Sequence, residues 1–167
     1  MELSIIIVNY NVYDNIKKCI QSILDNLTGI EYELLIIDNN SVERDIDNIT
    51  VDYPFVKYYK QNQNRGFASA NNYGFTQASG EFILFLNPDT IYIENFLPAM
   101  INSYCNNTQS GAFGPMLLYE DMNYQTSSGM KMGFIFEFLE SFNLIGLIRK
   151  SLKKKYLNSK IDRKSVV

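Results

Sequence analysis

Residues 3–11 read LSIIIVNYN, six mostly β-branched and apolar residues that stop abruptly at Asn9-Tyr10-Asn11. An unbroken apolar run of this length, closed by polar turn formers, is the signature of a strand buried on both faces, as in a parallel sheet. A helix and a second strand come next. From Asp14 to Leu27 the residues Ile16, Cys19, Ile20, Ile23, Leu24 and Leu27 recur at helical spacing, and Gly29 closes the segment. Tyr32–Ile37 is a second apolar strand, ending at Asp38-Asn39-Asn40-Ser41.

The alternation continues along the chain. A short helix is expected around Asp45–Asn48, and Pro54 introduces a third strand, Phe55–Tyr59. Phe67–Gln77 has helical spacing with Gly80 beyond it, and Phe82–Leu86 is a fourth apolar strand ending at Asn87-Pro88-Asp89-Thr90. A helix over Ile93–Tyr104 and a strand over Ala112–Leu118 complete the reading. Strands alternating with helices of this length make βαβ units, so the fold class is α/β with a mostly parallel sheet flanked by helices. Ligands bind such sheets beyond the carboxyl ends of the strands. The polar clusters at 9–11, 38–41 and 87–90 all fall there, although each alone also fits ordinary turn and cap chemistry.

Composition narrows the chemistry. The 167 residues are 46 % apolar and 20 % charged, ordinary globular material. There is no histidine, which excludes Ser-His-Asp and Cys-His mechanisms and His-based metal sites within these residues. Any acid–base or metal chemistry here falls to carboxylates. Two distant cysteines, Cys19 and Cys105, do not form a disulfide framework, and a reducing, cytoplasmic setting is expected. No signal peptide or membrane span opens the chain. Charge is uneven: residues 1–148 hold 7 basic and 17 acidic side chains, whereas residues 149–167 hold 8 basic and 1 acidic. No Gly-x-Gly-x-x-Gly follows the first strand and no Walker A sequence occurs, which argues against a dinucleotide site and a P-loop.

Four segments in order, SIIIVNYN, LLIIDNNS, NRGFASANNYG and FILFLNPDT, resemble family 2 glycosyltransferases of the GT-A type, in particular the rhamnosyltransferase-like branch. GAFGPMLLYEDMNYQTSSG resembles the next segment of that branch, so the likeness covers residues 3 to about 128. It implies a GT-A (Rossmann-like) fold binding a nucleoside diphosphate sugar, UDP- or dTDP-linked, with a divalent metal, Mg or Mn. It further implies inverting transfer to a glycan or lipid-linked acceptor, in the cytoplasm and at the inner face of the membrane. No nucleic-acid partner is expected.

Carried over residue by residue, the resemblance puts Tyr10 near the base and has Asp38 accept from a pyrimidine N3–H. Asn9 and Asn40, in the adjoining turns, count with them among the expected nucleotide-sugar-binding residues, and Asn64, Arg65 and Gly66 lie beside the nucleotide. Asp89 becomes the metal-binding carboxylate, with a carbonyl oxygen available from Asn87. The motif here is Asn87-Pro88-Asp89 rather than Asp-x-Asp, so Asp89 is its one charged ligand. For Arg65 two readings stand, pairing with a phosphate and exposure to solvent.

The resemblance divides the chain into a nucleotide-sugar-binding part, 1–128, and a segment, 129–167, that opens an acceptor half. The family's catalytic base belongs to a later acidic segment, so the chain is expected to be truncated, with no catalytic residue assigned. Glu120-Asp121 takes a loop position, and nothing marks Glu137 or Glu140 as catalytic. Residues 132–148, MGFIFEFLESFNLIGLI, lie ahead of a basic cluster. They read either as a helix on an anionic membrane surface or as one that packs on further chain, and either leaves room for self-association. The rival functional readings are a nucleotide-binding module without turnover and a nucleotidyltransferase.

Overall fold

A computed structural model describes residues 2–42, 45–106 and 111–126 of the chain. The chain divides into two compact units, Met1–Pro115 and Met116–Val167. The expectations for residues 129–167, including the apolar segment 132–148 and the basic tail, lie outside the described residues.

The first unit is built on one parallel sheet. Strands β1 (Leu3–Asn9), β2 (Tyr32–Asp38), β3 (Lys57–Lys60) and β4 (Phe82–Leu86) stand in the order β3-β2-β1-β4, every neighbouring pair parallel. Helix α1 (Tyr13–Asn26) crosses from β1 to β2, and α3 (Phe67–Gln77) from β3 to β4. A 3-10 turn at Asp45–Asn48 runs directly into the single α-turn α2 (Ile49–Asp52). Helix α4 (Leu97–Asn106) comes after β4.

Alternation along the central strands sorts the core into two layers. Leu3, Ile5 and Ile7 of β1 and Leu34 and Ile36 of β2 face Ile16, Cys19, Ile20 and Ile23 of α1. The intervening residues Ile6, Val8, Leu35 and Ile37 pack on the other face against Ala70 of α3. β1 and β2 are buried at every position but Tyr32, as expected of mostly apolar strands at the centre of a parallel sheet, with Ser4, Asn9, Glu33 and Asp38 as their buried polar groups. β4, at the sheet edge, is less covered, and its Phe85 is 52 % exposed.

Helix α3 lies flat on the sheet because Gly74 has no side chain. A Cβ there would sit 2.7 Å from Ile6 Cγ2 and 3.0 Å from Ile37 Cγ1. Gly80 permits a closer approach still, since a Cβ on it would meet Ser4 N at 2.5 Å. Around it lies a buried polar knot at the amino end of the sheet. Ser4 Oγ donates to Glu33 Oε1, Ser79 donates to the same oxygen from N (2.7 Å) and Oγ (2.8 Å), and Lys57 Nζ pairs with Oε2 at 2.6 Å. Gly80 N donates to Ser4 Oγ at 2.8 Å. Burial pushes the Glu33 carboxyl up, but the bonds from Lys57, Ser4 and Ser79 prevail and bring it down to about 2.

Several expected boundaries move. Phe55 is not in β3: Pro54 and Phe55 form the tip of a turn closed by Val56 N on Tyr53 O at 3.0 Å, a conformation that proline favours. The helix expected from Ile93 begins only at Leu97, with Pro98 in its first turn, where a residue without an N–H costs no intrahelical bond. Leu24, read as part of the buried face of α1, is exposed.

In the second unit, only Leu117–Leu118 (β5) of the strand expected over Ala112–Leu118 is a strand, paired antiparallel with Tyr124–Gln125 (β6). Glu120 and Asp121 occupy the turn between them, where Asp121 accepts from Asn123 N (3.0 Å) and Nδ2 (2.7 Å).

Candidate functional site

The polar clusters at the strand ends meet. Asn9 and Asp38 are directly opposite in the β1–β2 register, and both are fully buried. Asn9 Nδ2 donates to Asp38 Oδ1 and to Ser41 Oγ, each at 2.8 Å, while Asn9 Oδ1 accepts from Val12 N at 3.3 Å. Ser41 closes the ring, its Oγ donating to Asp38 Oδ1 and its N to Oδ2 at 3.2 Å. Asn11 N reaches Ser41 Oγ at 3.0 Å, and Val42 N reaches Asn11 Oδ1 at 2.9 Å. The loops after β1 and β2 are thereby laced together. Their sharp turns use asparagines in left-handed geometry, Asn11 at φ 58° and Asn40 at φ 65°, a region asparagine enters more readily than most residues.

Beside this lattice is an open cleft of about 340 Å³, lined by Val8, Tyr10, Val12, Asn39, Asn64, Gly66, Phe67 and Pro88. It brings together Tyr10, Asn64 and Gly66 of the residues expected from sequence. Tyr10 lines it and is 49 % exposed. A wider groove of about 460 Å³ runs between α1 and residues 91–93, away from the strand ends. The smaller cleft is the functional candidate, because it gathers polar groups at the carboxyl edge of the sheet.

Asp38 has no surface in that cleft; its neighbour Asn39 does. Asn39 Nδ2 donates to Asn64 Oδ1 at 2.8 Å, Asn39 Oδ1 accepts from Arg65 N at 3.2 Å, and Asn64 Oδ1 accepts also from Gly66 N at 2.9 Å. The signal that distinguishes the two is the alternation of β2. Asp38 continues the row of Leu34 and Ile36 toward α1, and Asn39 that of Leu35 and Ile37 toward α3. Tyr10 continues Ile6 and Val8 in the same sense. The cleft is thus on the α3 side, and Asn39, Val12, Phe67 and Pro88 join it, although the sequence reading gave none of them a role.

Arg65 is exposed, and with the Gln63 amide turned so that its oxygen faces the guanidinium, Nε and Nη2 donate to it at 2.6 and 2.9 Å. Gly66, at φ 86°, starts α3 with no side-chain cap, so the first-turn amides are not covered by a capping group. Asn87 and Asp89 are exposed beyond β4, and Asn87 O accepts from Thr90 N at 3.1 Å. Cys19 Sγ approaches the same oxygen at 4.0 Å; burial, with the negative charge of Asp89, pushes its thiol up to about 12.

Among the described residues no group of three or more His, Cys, Asp or Glu gathers to hold a metal. What Asp89 offers is a single exposed carboxylate, with carbonyl oxygens nearby. This suits Mg²⁺ or Mn²⁺, which take oxygen ligands and complete their shell with water and substrate phosphates. No helix of the described residues is long and apolar enough to cross a membrane.

A doubly wound parallel sheet with a polar cleft at its carboxyl edge defines a nucleotide-binding class of α/β proteins. Likeness to known proteins makes the class specific: residues 4–162 match Glycosyl transferase family 2, and the chain belongs to that family. It is 31 % identical over 128 residues to the UDP-Glc:alpha-D-GlcNAc-diphosphoundecaprenol beta-1,3-glucosyltransferase WfgD of Escherichia coli, covering 76 % of this chain and 49 % of the relative. In structure it resembles S. aureus TarS 1-349 in complex with UDP-GlcNAc, with TM-score 0.56 and 21 % identity over 72 % of this chain and 38 % of that one. It also resembles the mannosyltransferase PcManGT from Pyrobaculum calidifontis in complex with GDP-Man and Mn²⁺, with TM-score 0.52 and 18 % identity over 59 % and 30 % of the two chains. These neighbours make the fold GT-A. The chain spans no more than about half the length of the curated relatives it matches.

Proposed function

We propose that this chain supplies the nucleotide-sugar-binding part, residues 1–128, of a glycosyltransferase that moves a sugar from a nucleoside diphosphate donor to a glycan or lipid-linked acceptor, with inversion. The observation that carries the reading is the cleft where Tyr10, Asn39, Asn64 and Gly66 converge at the strand ends of a family 2 chain. Tyr10 offers a face for the base. The first turn of α3, which follows Gly66 and has no side-chain cap, suits the negative diphosphate, since helix amino ends favour anions. Asp38 serves from within, its carboxylate fixing Asn9 and Ser41 so that the loops bordering the cleft keep their shape.

Asp89 would hold the divalent metal, with Asn87 offering an oxygen. Bound there, Mg²⁺ or Mn²⁺ would neutralise charge on the departing diphosphate. The protein's own residues bind and orient the donor. The relative that uses UDP-Glc and a diphosphoundecaprenol acceptor, and the neighbours holding UDP-GlcNAc and GDP-Man with Mn²⁺, support this assignment. The Asn87-Pro88-Asp89 form supports the rhamnosyltransferase-like branch. A cytoplasmic protein working beside the membrane suits a lipid-linked acceptor.

Thermal shift against UDP, dTDP, GDP and CDP, each with and without Mn²⁺, tests the proposal. UDP or dTDP should raise Tm, and more with Mn²⁺ present. No shift with any nucleotide in either condition would overturn it.

A further inference from the structure

We propose that Asn39 is a positioning residue that latches the loop at 63–66 and thereby sets the nucleotide cleft; this rests on the nucleotide-binding reading given above. Asn39 is only 3 % exposed, and both ends of its amide are engaged with one loop. Its oxygen takes Arg65 N at 3.2 Å and its nitrogen gives to Asn64 Oδ1 at 2.8 Å. Asn64 passes the constraint on, its Oδ1 accepting Gly66 N at 2.9 Å. The backbone below is anchored as well, with Asn39 N on Asn9 O at 2.9 Å and Gln61 N on Asp38 O at 2.8 Å.

The consequence is directional. β2 is a central strand buried at every position but Tyr32, so Asn39 is fixed at its base and its amide places the exposed loop at 63–66. Gly66 stands at φ 86°, where the preceding chain imposes no regular geometry, and Phe67 after it is exposed at the cleft. One donor, Asn39 Nδ2, and two acceptors, Asn39 Oδ1 and Asn64 Oδ1, therefore decide where the first turn of α3 begins relative to Tyr10. An amide is required at position 39, because it accepts from Arg65 N and donates to Asn64 with one planar group. A carboxylate keeps the first bond and opposes the second with an oxygen.

The test separates the latch from the ligand. Amide hydrogen exchange of the full 167-residue chain, without nucleotide, is measured for the parent, Asn39→Ala, Asn39→Asp and Asn64→Ala, and then UDP is titrated in Mn²⁺. Asn39→Ala should speed exchange at Arg65 and Gly66 at least tenfold while the β2 amides keep their protection. Asn39→Asp should expose Gly66 more than Arg65. UDP affinity should fall about tenfold for Asn39→Ala and for Asn64→Ala, the scale of one or two lost hydrogen bonds. The double variant should be no weaker than the worse single one, since both break one device. Asn64 is exposed, so its variant folds whatever the fate of the other. Unchanged exchange at Arg65 and Gly66 in Asn39→Ala, or affinity losses that simply multiply in the double variant, would overturn the latch. Failure of the parent to bind UDP would overturn the nucleotide reading alone, and the exchange data would still decide the latch.

Discussion

The two ends of the sheet both bury carboxylates, and they do so differently. At the amino end Glu33 receives Ser4, two donors from Ser79, and the Lys57 ammonium, in a knot that pins β1, β2, β3 and the start of β4. At the carboxyl end Asp38 receives Asn9 and Ser41, and the amides around it belong to loops that border an open cleft. One network closes the fold on itself; the other holds loops in place around a space. Damage to the first should appear in stability alone, and damage to the second in both stability and ligand binding.

The largest effect should come from Gly80→Ala. The new methyl would meet backbone, Ser4 N at 2.5 Å and Leu3 C at 2.7 Å, which cannot rotate aside. Denaturant unfolding should show a loss of about 3 kcal/mol, the upper range for overpacking. Gly74→Ala meets side-chain carbons rather than backbone, Ile6 Cγ2 at 2.7 Å and Ile37 Cγ1 at 3.0 Å, and gains helix propensity, so it should cost less than Gly80→Ala.

Next comes acid. A carboxyl held near 2 in the fold and near 4.5 when unfolded stabilises the protein above pH 4.5 and loses that contribution as pH falls toward 2. Stability should therefore decline across that window by about 2–3 kcal/mol from Glu33, and Glu33→Gln should flatten the decline in a pH series of unfolding curves. An unchanged slope would mean the knot does not hold its charge.

At the other end, Asp38→Ala strands Asn9 and Ser41, and should cost about 1–3 kcal/mol in stability together with a marked loss of UDP affinity by calorimetry. Asp38→Asn, which retains an acceptor, should lose less. Asp89→Asn should leave Tm unchanged, because Asp89 is exposed, and should remove the difference in UDP affinity between Mn²⁺ and EDTA. Smallest of all, Asp121→Asn in the β5–β6 turn should change stability by no more than about 0.5 kcal/mol and UDP binding not at all.

Much of the sheet was readable because β1, β2 and β4 are mostly apolar runs ended by or running into asparagine or aspartate, and their limits hold to within a residue. Helices α1 and α3 were legible from period and glycine stops. What failed was local: Pro54 and Pro98 redirected chain that propensity alone would have continued. Of the residues that the resemblance assigned to the nucleotide, Tyr10, Asn64 and Gly66 line the cleft, whereas Asp38 does not and its unassigned neighbour Asn39 does. That difference is set by the pleat, which sends adjacent residues to opposite faces. The cleft's position on the α3 side was not in any motif, although the alternation through Ile37 to Asn39 carried it.

The chain also contains its own clock. Cys105 is exposed, whereas Cys19 is buried beneath the Asn87 carbonyl with its thiol pushed up to about 12. Alkylating reagents attack thiolates, so Cys105 should be modified at the reagent's pace and Cys19 only when the turn after β4 lifts away from α1. The ratio of the two labelling rates reads the opening of the donor-side wall without any engineered probe. A nucleotide that braces Asn87 and Asp89 should slow the Cys19 reaction and leave that of Cys105 unchanged.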